Sequence, residues 1–221
     1  MSQSLGPRGV GIKEWKRCLQ QQLEPVLTAA DSAAGLSTYT DMPFGIFLYP
    51  PEDEWELRGE LGDLVIRLEN AGKTVQRLSM AVLLDQAIEA AGLSMEEIAQ
   101  GEADLGIAIV RDTIRDVLSG KAAGSTPLDQ LVAEAVDRSK PTSSHIVFLE
   151  RVGALFGLHR PSALLDNLYR PDDKRENKKD QTPKVTHPLV LFYPGQRDGP
   201  AGLRFMDEAE ADHNYRPKLF A

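Results

Sequence analysis

FGIFLYPP at Phe44 to Pro51 and PLVLFYPG at Pro188 to Gly195 are one kind of segment written twice. Each is short, almost wholly apolar and closed by Tyr-Pro. Such a run is too short for a helix and too uniformly apolar for a strand with one wet face. Both therefore read as central strands of a sheet covered on both faces. In open sheets of this kind, ligands and partners gather at the carboxyl ends of the strands, so the two Tyr-Pro exits mark the edge to search. The reading predicts Phe44 to Tyr49 and Leu189 to Tyr193 as adjacent or near-adjacent parallel strands.

On either side of these runs, strand and helix patterns alternate. Residues 12–30 read as a leading helix and 32–42 as a polar connection, which sets 1–42 apart from a single α/β domain over 43–221. After the first strand, Glu52, Asp53 and Glu54 occupy a helix start, where the dipole favours negative charge. Leu57, Leu61, Leu64, Val65 and Leu68 then form one apolar stripe that ends at Gly72. Residues 74–80 read as a more polar strand near a sheet edge, followed by a helix over 81–91, an order that implies a parallel crossover.

The middle is helical. Ser94 and Glu97 form a capping box, Ile107, Val110, Ile114, Val117 and Leu118 recur at helical spacing, and Thr126-Pro127 opens a further helix. This is read as a helical insertion, 94–140, over one sheet face or edge. HIVFL at His145 to Leu149 resumes the sheet, and Pro161 opens a short helix ending near Tyr169. Residues 171–187 read as a flexible charged loop, and QRDGPAG as the turn of a final hairpin-like return. The fold class is thus α/β: a three-layer domain with a mostly parallel central sheet, a helical insertion and an N-terminal helix.

Composition narrows the function. With 221 residues, 42% hydrophobic and 26% charged, the chain can build one good-sized core. No apolar run approaches the roughly 20 residues that span a bilayer, and the first residues lack the apolar centre of a secretory signal, so a cytoplasmic protein is expected. The lone Cys18 leaves no internal disulfide framework and reads as a free thiol near a helix start. A net charge of −8 disfavours duplex DNA binding by the isolated chain, and the one dense basic run, within 172–179, falls in the charged loop.

Several motifs fail on chemistry. AGKT at Ala71 to Thr74 has the tail of a phosphate loop, but Arg67 stands where the first glycine belongs. The order is also reversed, because here a helix runs into a strand. Pro171-Asp172 with the lysines after it resembles a metal-nuclease signature placed in a loop. Glu52, Asp53 and Glu54 are the better magnesium candidate, although a helix start accounts for them. His145, His159, His187 and His213 show no ligand pair at helical spacing, and no G-x-S-x-G elbow is present. The groups near the strand exits are aromatic and guanidinium: Tyr49, Trp55 and Arg58 after the first strand, Arg151 and Arg160 after HIVFL, and Tyr193 and Gly195 after the last strong strand. Arginine with tyrosine and tryptophan is the mixture enriched in protein interfaces, although Glu54 and Arg58 also suit a simple helical ion pair.

These residues carry a family resemblance. YPPEDEWELRGELGDLVIRLENAGKTV, HIVFLERVGALFGLHRPSALLDNL, PLVLFYPGQRDGPAGLRF and the closing NYRPKLF, taken in order, are similar to the BrxB family, a small component of bacteriophage-exclusion (BREX) defence systems. The resemblance implies a non-enzymatic accessory protein of a cytoplasmic complex, linked with the PglZ component, an alkaline-phosphatase-like protein, and with the methyltransferase and ATPase components. It brings no catalytic residue and no cofactor. Tyr49, Trp55, Arg58, Arg160, Tyr193 and Gly195 are the candidate partner-binding residues. An adaptor that docks a PglZ-like partner is therefore expected, the alternative being a nucleotide-binding or metal-dependent phosphoester enzyme working at the strand-exit edge.

Overall fold

The computed structural model describes residues 12–37, 42–169, 185–199 and 202–221. β1 (Phe44–Tyr49) and β4 (Leu189–Asp198) pair parallel, from Phe44 opposite Leu189 to Tyr49 opposite Pro194. The two Tyr-Pro segments are therefore neighbours at the centre of the sheet. Beyond β4 come β3 (His145–Glu150) and then β2 (Thr74–Ser79) at the edge, while β6 (Lys218–Phe220) flanks β1 on the other side. All of these pairings are parallel. Among the described strands only β5 (Gly202–Phe205) runs antiparallel, returning along the end of β4 as the expected hairpin. The polar edge strand is likewise where its sequence puts it: Arg77 on β2 donates two hydrogen bonds to Glu150 on β3, at 2.6 and 2.7 Å.

Alternate strand residues feed two cores, which is why the central strands tolerate no polar side chain. Ile46, Leu48, Val147, Leu149, Leu189 and Leu191 face α5 (Met80–Ala90), α7 (Ile107–Leu118), α8 (Leu128–Ala135) and α9 (Pro161–Tyr169). Phe47, Ile146, Phe148, Val190 and Phe192 face the opposite way, onto α1 (Glu14–Cys18), α2 (Glu24–Thr28), α3 (Ser32–Leu36) and α4 (Glu54–Asn70). This is the three-layer α/β arrangement.

The leading helix is not uniform. Between α1 and α2, Leu19–Leu23 forms a π turn in which the Glu24 N–H reaches back to the Leu19 carbonyl. Pro25 comes immediately after; its ring lacks an N–H and would clash with a carbonyl one regular turn earlier, so a widened turn lets the helix continue. Cys18 corrects its expected position. It closes α1, is buried among the leucines, and burial pushes its thiol pKa up. The connection read as polar contains α3, with Asp31 capping the Ala34 N–H at 2.8 Å.

In the insertion, Ser94 and Glu97 complete the capping box of α6 (Met95–Leu105). α6 buries no side chain, whereas α7 and α8 contribute Val110, Val117, Leu118, Leu128 and Val132 to the core. Residues 170–184 lie outside the described residues, and with them the basic run and Pro171-Asp172. Val185 and His187, at the end of the span read as loop, are buried.

Candidate functional site

The strand exits build a cleft of about 850 Å³ on the α7–α9 side of the sheet. β3 leaves the sheet through Arg151, whose φ of 56° turns the chain sharply into a 3-10 turn, Val152–Leu155, and on to α9. β4 leaves through Tyr193-Pro194-Gly195 into the hairpin with β5, and the chain after β5 returns as the facing wall. The end of α7 closes the third side, fastened where Arg115 Nε donates to the Gly157 carbonyl at 3.0 Å.

The floor is aromatic. Tyr193 packs on Phe205 at 5.2 Å and on Tyr215 at 5.7 Å between ring centroids, and Phe205 packs on Phe156 at 5.9 Å. The Tyr215 hydroxyl donates to the Tyr193 hydroxyl at 3.4 Å. Burial is the main reason the Tyr215 phenol is pushed up to about 12 and the Tyr193 phenol further still, so both stay neutral.

On the wall, Asp212 accepts from Ser162 Oγ at 2.5 Å and from the Asn214 N–H at 3.0 Å. Partial burial opposes its charge, but these bonds and the nearby Arg160 hold its carboxyl below the usual range. His159 is lowered by burial, against its Nδ1 contact with the Arg160 carbonyl at 3.1 Å. Arg160 itself stands exposed at the mouth and makes no side-chain hydrogen bond to the described residues. The cleft thus offers an apolar floor, a neutral tyrosine pair and a solvent-facing guanidinium. Ser162 is held by Asp212, a carboxylate that also receives the Asn214 backbone N–H.

The candidate residues separate into three places. Arg160 and Tyr193 belong to the cleft. Trp55 and Arg58 sit together on α4, on the other side of the sheet, with the Arg58 guanidinium 4.5 Å from the Trp55 ring centre. That stacking replaces the expected ion pair with Glu54, which instead accepts from the Tyr49 hydroxyl. Tyr49 is buried, its phenol pushed up chiefly by burial. Gly195 is packed against the next strand. Tyr49 and Gly195 offer no contact surface of their own, and Tyr193 supports the cleft floor from beneath, its side chain being fully buried. Phe156, Phe205, Tyr215 and Asp212 complete the cleft and had no signal in local sequence, since they come from separate segments.

The rejected motifs find plain roles. Lys73 donates to the carbonyls of Ala29 at 2.6 Å and Ser143 at 3.0 Å, and Gly72, at φ 82°, ends α4. Asp53 binds Trp15 Nε1 at 2.8 Å and Lys13, tying α1 to the start of α4. Among the described residues no group of His, Cys, Asp and Glu gathers that could hold a metal ion, and no helix is long and apolar enough to cross a membrane.

His145 and His187 form a buried T-shaped pair, centroids 5.3 Å apart. His145 Nε2 faces Gln76 Oε1 at 3.3 Å, His187 Nε2 faces the Lys140 carbonyl at 3.1 Å, and neither Nδ1 has a hydrogen-bond partner among the described residues. Burial, reinforced by His187 and Lys140 and opposed by Asp137, lowers the His145 pKa below its ordinary 6.5. Below that value the unfolded chain takes up the proton first, so stability is full above pH 6.5 and falls as the pH drops toward the folded-state value. The urea midpoint is expected to fall between pH 7 and 5, and His145→Phe to flatten that slope. An unchanged slope in the variant would assign the acid sensitivity to other groups.

An open, mostly parallel sheet flanked by helices, with an aromatic cleft at its strand exits, defines the class: a three-layer α/β protein. The family model described as "BREX protein BrxB" matches residues 76–219, more than half of the chain, and the chain belongs to the BrxB family of BREX defence systems. A relative named "BREX protein BrxB", from Bacillus cereus (strain H3081.97), is 26% identical over 197 residues, covering 88% of this chain and 92% of its own. No solved structure matches.

Proposed function

We propose that this BrxB-family chain is a non-enzymatic adaptor of a cytoplasmic BREX assembly and that its strand-exit cleft holds a PglZ-like, alkaline-phosphatase-fold partner. The supporting observation is the make-up of the cleft, in which exposed Phe156 and half-buried Tyr215 line the floor over the buried rings of Phe205 and Tyr193 while Arg160 stands at the mouth. Aromatic side chains around an arginine are the composition in which interfaces concentrate their energy. The polar groups present hold loops in place, as Ser162 does for Asp212 and Arg115 for Gly157.

Co-purification with the products of neighbouring defence genes, followed by calorimetry with the PglZ-like protein, tests this. Arg160→Ala and Phe156→Ala are each expected to weaken binding by about 30-fold, the equivalent of roughly 2 kcal/mol. Both side chains are exposed, so the variants should stay folded. Duplex DNA at physiological salt is expected to be left unbound, because a chain of net charge −8 must first overcome repulsion. Absence of any complex with wild-type protein would defeat the adaptor reading. Normal binding by both variants would move the interface off the cleft.

A further inference from the structure

We infer that the outer face of α4 pairs with the same face of a second copy of this chain, in a parallel, in-register helix pair. The inner face of α4 packs its buried leucines on the sheet. The opposite face presents Trp55, Gly59, Gly62 and Ile66, at the four-three-four spacing of a coiled-coil seam. Trp55 is 77% and Ile66 57% exposed, which is unusual for large apolar side chains on an otherwise well-buried layer. Stacking of Arg58 holds the indole in place on the surface. Nothing lies within 4 Å of where a Cβ would stand at Gly59 or Gly62, so the centre of the seam is open to close approach by another backbone.

The charges flanking the seam select both the occupant and its direction. Arg58 lies on one side of it and Asp63, five residues later, on the other. In a parallel in-register pair, a residue on one flank meets the residue five positions on in its neighbour, so Arg58 of each copy meets Asp63 of the other. An antiparallel pair would set Arg58 against Arg58 and Asp63 against Asp63. Neither charge forms an ion pair with another described residue, although Asp63 acts as a nearby charge on Arg67. Arg58 stacks on Trp55, and Arg67, one turn beyond Asp63, is engaged by Glu24 in two bonds of 2.8 and 2.9 Å. The leading helix is fastened along the Asp63 side of α4, outside the seam, by Lys16 to Glu60 at 2.7 Å and by the same Glu24 pair, and Trp55, Ile66 and Asp63 all stay exposed among the described residues. α4 lies across the sheet from the cleft, so self-pairing and partner docking are compatible, and a dimer would present two clefts.

A single helix pair buries less than a standard interface, so association should be weak, on the order of 10 to 100 µM. Sedimentation velocity of the full chain across that range is expected to show a monomer–dimer equilibrium. Arg58→Asp and Asp63→Arg should each abolish it, and the double variant, which restores both pairs with reversed sign, should recover it. Gly59→Cys, treated with a mild oxidant, should trap a disulfide-linked dimer, because in the parallel register residue 59 faces its own counterpart and the native Cys18 is buried. A monomer throughout the range, single reversals without effect, failure of the double variant to recover, or no cross-link at position 59 would each overturn the inference.

Discussion

Phe192→Ala is expected to lower the unfolding free energy by about 3 to 5 kcal/mol, the largest effect of any single truncation proposed for this chain. Phe192 is the aromatic centre of β4, 1% exposed, with its ring 5.7 Å from Phe47 on one neighbouring strand and 5.0 Å from Phe148 on the other. Removing it loses both ring contacts, one tilted and one edge-on, and opens a cavity between two strands whose backbones are fixed by parallel pairing, so the site cannot collapse cheaply. In a chain of this length each kcal/mol moves the melting temperature by about 2 to 4 °C, so a fall of roughly 10 °C should be seen by calorimetry. Phe192→Leu keeps most of the volume and should cost clearly less. Equal losses in the two variants would mean that burial of the ring is not what Phe192 contributes.

That central position could be read in sequence because a strand buried on both faces must be apolar throughout, and besides HIVFL only the two Tyr-Pro runs are written that way. The edge strand β2 was legible for the converse reason, since Gln76 and Arg77 need water or a polar partner. β6 was missed: Lys218–Phe220 buries only Phe220, and a three-residue edge strand has no periodicity to detect. The π turn before Pro25 was also hidden, because a proline inside an apolar period signals a break without saying how the backbone accommodates it. The site was half legible. Tyr193 and Arg160 were found because they stand next to recognisable strands, whereas Phe156, Phe205 and Tyr215 acquire their meaning only when three segments converge. Tyr49 drew attention for the same reason as Tyr193, yet the two were not equivalent: one is covered by α4 and bonded to Glu54, the other forms the floor of the cleft.

Gly195→Val is expected to detach the cleft wall while leaving the central sheet standing. Gly195 has φ 148°, outside the range that a β-branched residue adopts without strain, and a Cβ there would lie 2.1 Å from the Arg204 carbonyl oxygen on β5. No side-chain rotamer relieves a clash with backbone, so the β4–β5 ladder, which pairs Gly195 with Phe205 and Asp198 with Gly202, has to open. Backbone strain alone costs about 1 to 3 kcal/mol, and the loss of the hairpin adds to it. The segment after the hairpin then loses its anchor: Asp212, held by a mutual pair of 3.0 Å bonds with Leu203, and through it Ser162 and the start of α9. Hydrogen exchange should show lost protection from residue 195 through the early 200s, with β1 and β3 still protected, since local units open independently when the core between them is intact. Binding of the PglZ-like partner should fall by at least the 30-fold expected for Arg160→Ala, because the variant removes the wall rather than one side chain. Intact hairpin protection would show that the backbone absorbs the side chain, and intact binding with a detached hairpin would show that the partner docks without this wall.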